Sequence, residues 1–175
     1  KSNSMIRMFR NCTSLITINN FDKWTTPNGY ADTRSLFEGC SNYNDPRISI
    51  TKIYFLSLSN CFNTASKFNQ PLPWNFSADT TSAFQNAHAF NQDVSHWSFN
   101  ANSDVNNMFL GKSAANYNAQ YLANLYIKFA QIFIGTGRTK SKVFSAGAIK
   151  YHSSGSSARA ALLADGWSIT DGGMI

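Results

Sequence analysis

Phe84-Gln-Asn-Ala87-His-Ala-Phe90 sets a phenylalanine, a small residue and a second large apolar residue three positions apart. The spacing recurs as Phe9-Arg-Asn-Cys12-Thr-Ser-Leu15, Phe37-Glu-Gly-Cys40-Ser-Asn-Tyr43 and Phe62-Asn-Thr-Ala65-Ser-Lys-Phe68. Phe109 opens a fifth copy, whose aromatic residue, Tyr117, arrives two positions late. Successive copies begin 28, 25, 22 and 25 residues apart, inside the span of roughly 20–29 residues typical of leucine-rich-type repeats.

The stretches between these segments repeat as well. Asn69-Gln70-Pro71-Leu72-Pro73-Trp74 matches Asn91-Gln92-Asp93-Val94-Ser95-His96-Trp97 with one residue of slip, while Ile16-Thr17-Ile18 and Ile48-Ser49-Ile50 hold similar places. Three-residue spacing predicts a short helix with one apolar face. Alternating apolar residues predict a strand with one face inward. Each unit therefore reads as a short helix, a turn and a short strand. Such a unit cannot bury its apolar face alone and must stack on its neighbours. The expected fold class is an α/β repeat: a short leucine-rich-repeat-type solenoid of about five units over residues 1–118.

Residues 119–175 read as a C-terminal helical cap. Ala119 to Ile134 places Leu122, Leu125/Tyr126, Phe129 and Ile132/Phe133 at helical spacing, with Lys128 and Gln131 opposite and Gly135 as a stop. Ser156 to Asp165 predicts a second helix ended by Gly166, and Trp167-Ser-Ile-Thr170 a final strand. A cap of this kind covers the last apolar layer of a stack.

The pattern resembles the BspA-like leucine-rich surface-protein family, on the residues Ala89-Phe-Asn-Gln-Asp-Val-Ser-His-Trp97 and Asp104-Val-Asn-Asn-Met-Phe109, and on the run that ends Gly166-Trp-Ser-Ile-Thr-Asp-Gly-Gly173. Pro71, Pro73 and the irregular stretch 45–58 depart from it. The resemblance implies a role in adhesion or receptor recognition, on a bacterial surface or in a phage, and no catalytic motif.

Composition narrows the classes further. Hydrophobic residues make up 43% of the 175-residue chain, aromatic residues 14% and charged residues 14%, a balance that excludes disorder. No apolar run is long enough to span a membrane, and Tyr126 to Ile134 is broken by Lys128 and Gln131. The net charge of +6 divides as +2 over residues 1–118 and +4 over residues 119–175. Its one cluster, Arg138, Lys140 and Lys142, reads as a solvated loop, so no nucleic-acid partner is expected. The chain begins at Lys1 with no signal-type apolar stretch and reads as processed or as the tail of something longer.

Motif-like arrangements yield to plainer readings. Cys12 and Cys40 share a repeat position and read as small core residues; a disulfide between them stays open for an extracellular protein, and zinc spacing is absent. Asp93, Ser95 and His96 lie too close along one strand for triad geometry. Ser49-Ile-Thr-Lys52 lacks the partners of a penicillin-recognising enzyme, and Gly135-Thr-Gly-Arg138 follows a helix, not a strand. Asn11-Cys-Thr13 and Asn75-Phe-Ser77 are glycosylation sequons.

The expected function is a non-catalytic recognition module that binds a host cell-surface glycan or protein on its strand face. The candidate contacts are Thr17, Asn19, Ser49, Thr51, Asp93, Ser95 and His96. Sugar stacking would additionally need exposed Trp or Tyr. The expected setting is extracellular, at the virion surface in the distal part of a phage tail fibre. A bacterial surface adhesin is the alternative, as is a structural virion protein docked on other subunits. No cofactor, metal or membrane insertion is expected.

Overall fold

Asn, Ser, Gly and Thr dominate two positions around each repeated phenylalanine, and those positions adopt the left-handed backbone. Two residues before it stand Arg7, Ser35, Asn60, Ser82 and Asn107, with φ between 52° and 58°; two residues after it stand Asn11, Gly39, Thr64, Asn86 and Gly111, with φ between 55° and 81°. A left-handed residue every fourth position interrupts helical bonding. The helix expected over each Phe-x-x-small segment is therefore replaced by consecutive turns. The computed structural model describes residues 3–72 and 79–175; Pro73, Trp74 and the Asn75 sequon lie outside the described residues.

Backbone bonding within these turns alternates. One N–H in two closes a turn on the carbonyl three residues back: Leu36 on Thr33, Glu38 on Ser35 and Cys40 on Phe37, at 3.1, 3.3 and 3.1 Å. The intervening N–H groups leave the unit. Ser35, Phe37 and Gly39 donate to the carbonyls of Ser59, Cys61 and Asn63 at 2.9, 2.9 and 2.8 Å. The same crossing joins Phe9 to Leu36, Phe62 to Ala83, Phe84 to Met108 and Phe109 to Ser145, all within 3.1 Å.

In the first three units a strand precedes the phenylalanine rather than follows it. β1 (Asn3–Ser4), β2 (Tyr30–Asp32) and β3 (Tyr54–Phe55) form a parallel sheet in that order, with Asn3 opposite Ala31 and Tyr30 opposite Tyr54. The strands expected at Ile16–Ile18, Ile48–Ile50 and Asn91–Trp97 do not form. The first and third are irregular, and the second ends a 3-10 helix, Pro46–Ile50. Buried Asp45 explains this local choice: its carboxylate accepts from Arg47 N–H at 3.0 Å, from the Arg47 side chain at 2.9 Å and from Ile18 N–H at 2.7 Å. Pro46, with its fixed φ, then opens the turn.

Two aromatic ladders fill the interior. Phe9, Phe37, Phe62, Phe84 and Phe109 follow one another at centroid spacings of 5.7, 5.7, 5.6 and 5.8 Å, with ring planes within 17° of parallel. Tyr43, Phe68 and Phe90 form the second ladder, at 6.0 and 5.9 Å, and each stacks on its own unit's phenylalanine at about 4 Å. Beside them runs an asparagine ladder: Asn44, Asn69 and Asn91 use their side-chain oxygens to accept N–H of Asn69, Asn91 and Asn118 at 3.0, 2.8 and 2.8 Å. Asn118 in turn caps α1 (Ala119–Phe133) by accepting from Gln120 N–H at 2.9 Å.

α1 buries Leu122, Leu125, Tyr126, Phe129 and Phe133. α2 (Ser156–Ala164) follows, and β4 (Val143–Ser145) pairs in parallel with β5 (Ser168–Thr170). The basic cluster departs from the solvated loop expected of it. Arg138 lies over the rings of Phe133 and Trp167 at 4.5 and 4.9 Å and donates to the carbonyls of Ala101, Ser103 and Ser141, while Lys142 pairs with Asp165 at 2.9 Å. Only Lys140 of the three is fully exposed.

Left-handed positions stack on one another, so their tolerance to side chains is testable. Gly147, at φ 63°, has the backbone of Lys112 where a Cβ would go, with the Lys112 oxygen 2.6 Å away, whereas Gly135, at φ 70°, faces open space. Gly147→Ala is expected to lower the unfolding free energy by about 2–4 kcal/mol and Gly135→Ala by about 1 kcal/mol, since only the former adds overlap to the left-handed penalty. Thr64, an exposed β-branched residue at φ 59°, is misfitted; Thr64→Asn is expected to gain about 0.5–1 kcal/mol. Urea titration of the three variants reads all of these effects.

Candidate functional site

The parallel sheet turns alternate side chains outward. Ala31 and Phe55 point into the core, while Tyr30 and Tyr54 stand outside at 47% and 56% exposure, and Leu56 continues the row at 41%. Because Tyr30 and Tyr54 are register partners, their rings lie 5.5 Å apart at a 36° tilt. Gly29 turns the chain into β2 with φ 76°, and the Tyr54 ring passes 3.7 Å from where a Cβ would sit, at ordinary contact distance.

Polar groups frame this pair. Asn3 Nδ2 donates to Asn28 Oδ1 at 3.1 Å, and the same oxygen accepts from Tyr30 N–H at 3.2 Å. Beyond Tyr30, Asp32 receives Arg34 in a forked pair at 2.7 and 3.0 Å. The Arg34 side chain holds the Asp32 carboxyl below its ordinary range. Farther along the same surface, Ile6, Arg7, Arg34, Ser35, Ser59 and Asn60 line an open depression of about 270 Å³.

None of the seven residues expected to make contacts lies on this sheet. All follow the aromatic segment of their unit, on the stretch that carries the 3-10 turns. Thr17 and Asn19 are exposed there. Ser49 is half-buried and donates to Pro46 O at 2.8 Å. Thr51 is buried, with its hydroxyl directed at Phe21 O, 3.4 Å away, and so is unavailable to a ligand. Asp93 accepts from Ser95 N–H at 2.9 Å and from the Asn124 side chain at 2.8 Å, which ties it to α1. His96 is exposed, edge-on to Trp97.

Asp93 and His96 are nevertheless brought together, while Ser95 faces a separate depression. Asp93 and His96, with Pro71, Leu72 and Gln92, line one depression of about 290 Å³; Ser95, with Asn124, Ile127, Lys128 and Gln131, lines another of about 260 Å³. Tyr30 and Tyr54, missed by the sequence reading, had a usable signal: they stand 24 residues apart, one short of the 25-residue interval from Phe37 to Phe62.

Buried reactive groups are held in quiet states. Cys12, expected in the core, is exposed, whereas Cys40 and Cys61 are buried; all three are free thiols, and burial pushes Cys40 up to about 11 and Cys61 higher still, so neither of the buried pair is a ready nucleophile. Lys112 is the unusual case. It occupies the small-residue position of the fifth unit, is 2% exposed, and donates from Nζ to the carbonyls of Ala87 and His88 at 2.7 and 3.2 Å. Its ammonium also lies 5.7 Å from the centroid of the Tyr117 ring. Desolvation lowers its pKa to about 7. Among the described residues, no three His, Cys, Asp or Glu side chains group to hold a metal, and no helix is long and apolar enough to cross a membrane.

A family model described as a Mycoplasma protein of unknown function, DUF285, matches residues 3–122, more than half of the chain, and the protein belongs to that family. No curated protein and no solved structure matches it.

Lys112 makes stability depend on pH in a defined direction. Its folded pKa of about 7 lies below the value of about 10.4 for an unfolded lysine. Between these values the unfolded chain holds the extra proton, so this residue's contribution rises with pH from about 7 to about 10 and is flat below. Lys112→Met is expected to raise the melting temperature at pH 6 and to flatten the pH dependence relative to the parent. Thermal unfolding at pH 6 and pH 9 measures both; a variant that melts lower at pH 6 contradicts the assignment.

Proposed function

We propose that this chain is a non-catalytic recognition module that binds a cell-surface glycan through the outward face of β1–β3. In this reading the stacked units are a short leucine-rich-type solenoid and residues 119–175 are its cap. The observation that carries the proposal is the exposed, register-paired Tyr30 and Tyr54. Aromatic side chains offer an apolar face with a polar tip, and they anchor recognition surfaces at low entropic cost. The Asn3 and Asn28 amides and the Asp32 carboxylate, at the margins of the pair, supply the directional hydrogen bonding that sugar hydroxyls require.

The family and the repeat pattern also bear on the setting we propose. A family described from Mycoplasma, together with the resemblance to BspA-like surface proteins, supports a bacterial cell-surface adhesin over the tail-fibre setting expected from the sequence. The protein's partner is then a glycan on the surface to which the bacterium adheres.

A glycan array probed with the parent protein, then with Tyr30→Ala and Tyr54→Ala, tests this. Each variant is expected to weaken binding at least about tenfold, the loss typical of one anchor residue. Both side chains are exposed, so melting temperatures should stay close to the parent's. Unchanged binding in the double variant, with loss in His96→Arg instead, would move the site to the depressions beside α1.

A further inference from the structure

The hydrogen bonds that cross between the phenylalanine turns run one way, from each unit to the carbonyls of the next, and this gives the turns of the first unit an unfilled row. In every later unit the same three carbonyls accept N–H groups from the unit before. They belong to Arg34, Leu36 and Glu38 in the second, to Ser59, Cys61 and Asn63 in the third, to Thr81, Ala83 and Gln85 in the fourth, and to Asn106, Met108 and Leu110 in the fifth. They stand three before, one before and one after their unit's phenylalanine, so the equivalents in the first unit, around Phe9, are Ile6, Met8 and Arg10. Their carbonyls accept from no donor among the described residues. Ile16 holds the place taken by Asn44, Asn69, Asn91 and Asn118 in the later units. Its N–H, which in the last three of those is received by a ladder asparagine, donates to nothing among the described residues.

The side chains of the same edge are unfinished too. Ile6, Met8 and Ile16 are 38%, 48% and 62% exposed, and Phe9, Leu15 and Trp24, which pack on the core from one side, are only partly buried. Phe9 stacks on Phe37 with its first face. Phe37, Phe62 and Phe84 each stack with a ring on both faces.

We infer that this edge is a docking surface for a further unit of the same repeat, joined ahead of residue 3. Three acceptors and one donor in fixed register define what fits: a segment presenting N–H groups at alternate residues, an aromatic ring over Phe9 and an asparagine oxygen over Ile16. A second copy of the chain does not meet that description edge to edge, because carbonyl would face carbonyl. The edge is thus polar in direction and selects a repeat unit over a two-fold partner.

The test puts such a unit in place of residues 1–3, ahead of the rest of the chain, so that the copied Ser103 takes the position of Asn3. A copy of residues Asp79–Ser103, placed directly before Ser4, would bring the amides copied from Ser82, Phe84 and Asn86 to Ile6, Met8 and Arg10, and the oxygen copied from Asn91 to Ile16. The melting temperature is expected to rise by about 5 °C or more, and the Ile16 amide to become protected from exchange. The same extension carrying Phe84→Ser and Asn91→Ser in the copied unit alone should give neither effect. An intact extension that stays protease-sensitive without raising the melting temperature would overturn the inference. So would concentration-dependent association of the unextended chain that Ile6→Lys abolishes, since that makes a second copy the occupant.

Discussion

Each unit of this protein keeps half of its turn amides for itself and gives the other half to the next unit. That division is the constraint on which the rest depends. An amide that closes a three-residue turn fixes local shape, and the next one along fixes the position of a whole unit. Because Phe37, Phe62 and Phe84 are themselves crossing donors, backbone and ring are placed by the same bond. The ring spacing of 5.6 to 5.8 Å is thereby set by the backbone as well as by the rings. Offset stacking then adds about 0.5–1.5 kcal/mol per pair beyond burial.

This arrangement leaves little freedom at the small-residue column. Cys40, Ala65 and Ala87 are completely buried in it, and their size suits the narrow space between stacked turns. Lys112 breaks the column at the last unit before α1, where a neutral amine can satisfy the carbonyls of Ala87 and His88 at less cost than an ammonium. The asparagine ladder ends just beyond it, with Asn118 joining the stack to α1 through one residue's backbone and side chain.

The period was legible in the sequence, and so were the buried rings and both long helices. α1 ends one residue before the predicted Ile134, and α2 ends one before Asp165. The local form of the units was not. A Phe-x-x-small spacing satisfies a helix and a pair of consecutive turns equally, and hydrophobic periodicity cannot separate them. The deciding signal was the residue two after each phenylalanine: Asn11, Gly39, Thr64, Asn86 and Gly111, mostly types that accept a left-handed backbone. Misplacing the strands followed from the same error. Thr17, Ser49 and Asp93 were placed on a strand face after the phenylalanine, whereas the sheet precedes it, and the outward tyrosines of that sheet were not singled out.

The surface reading inherits its order from the backbone. Tyr30 and Tyr54 stand side by side because a parallel register one repeat long puts them there, so an outward row on this face is a property of the repeat and not of two separate loops. Hydrogen-bond scalar couplings measured by NMR test the central claim most directly. The alternating scheme predicts couplings from the Phe37, Phe62 and Phe84 nitrogens to the carbonyl carbons of Cys61, Ala83 and Met108. Couplings from those nitrogens to the carbonyl four residues earlier in the chain would instead mark helical segments and contradict it.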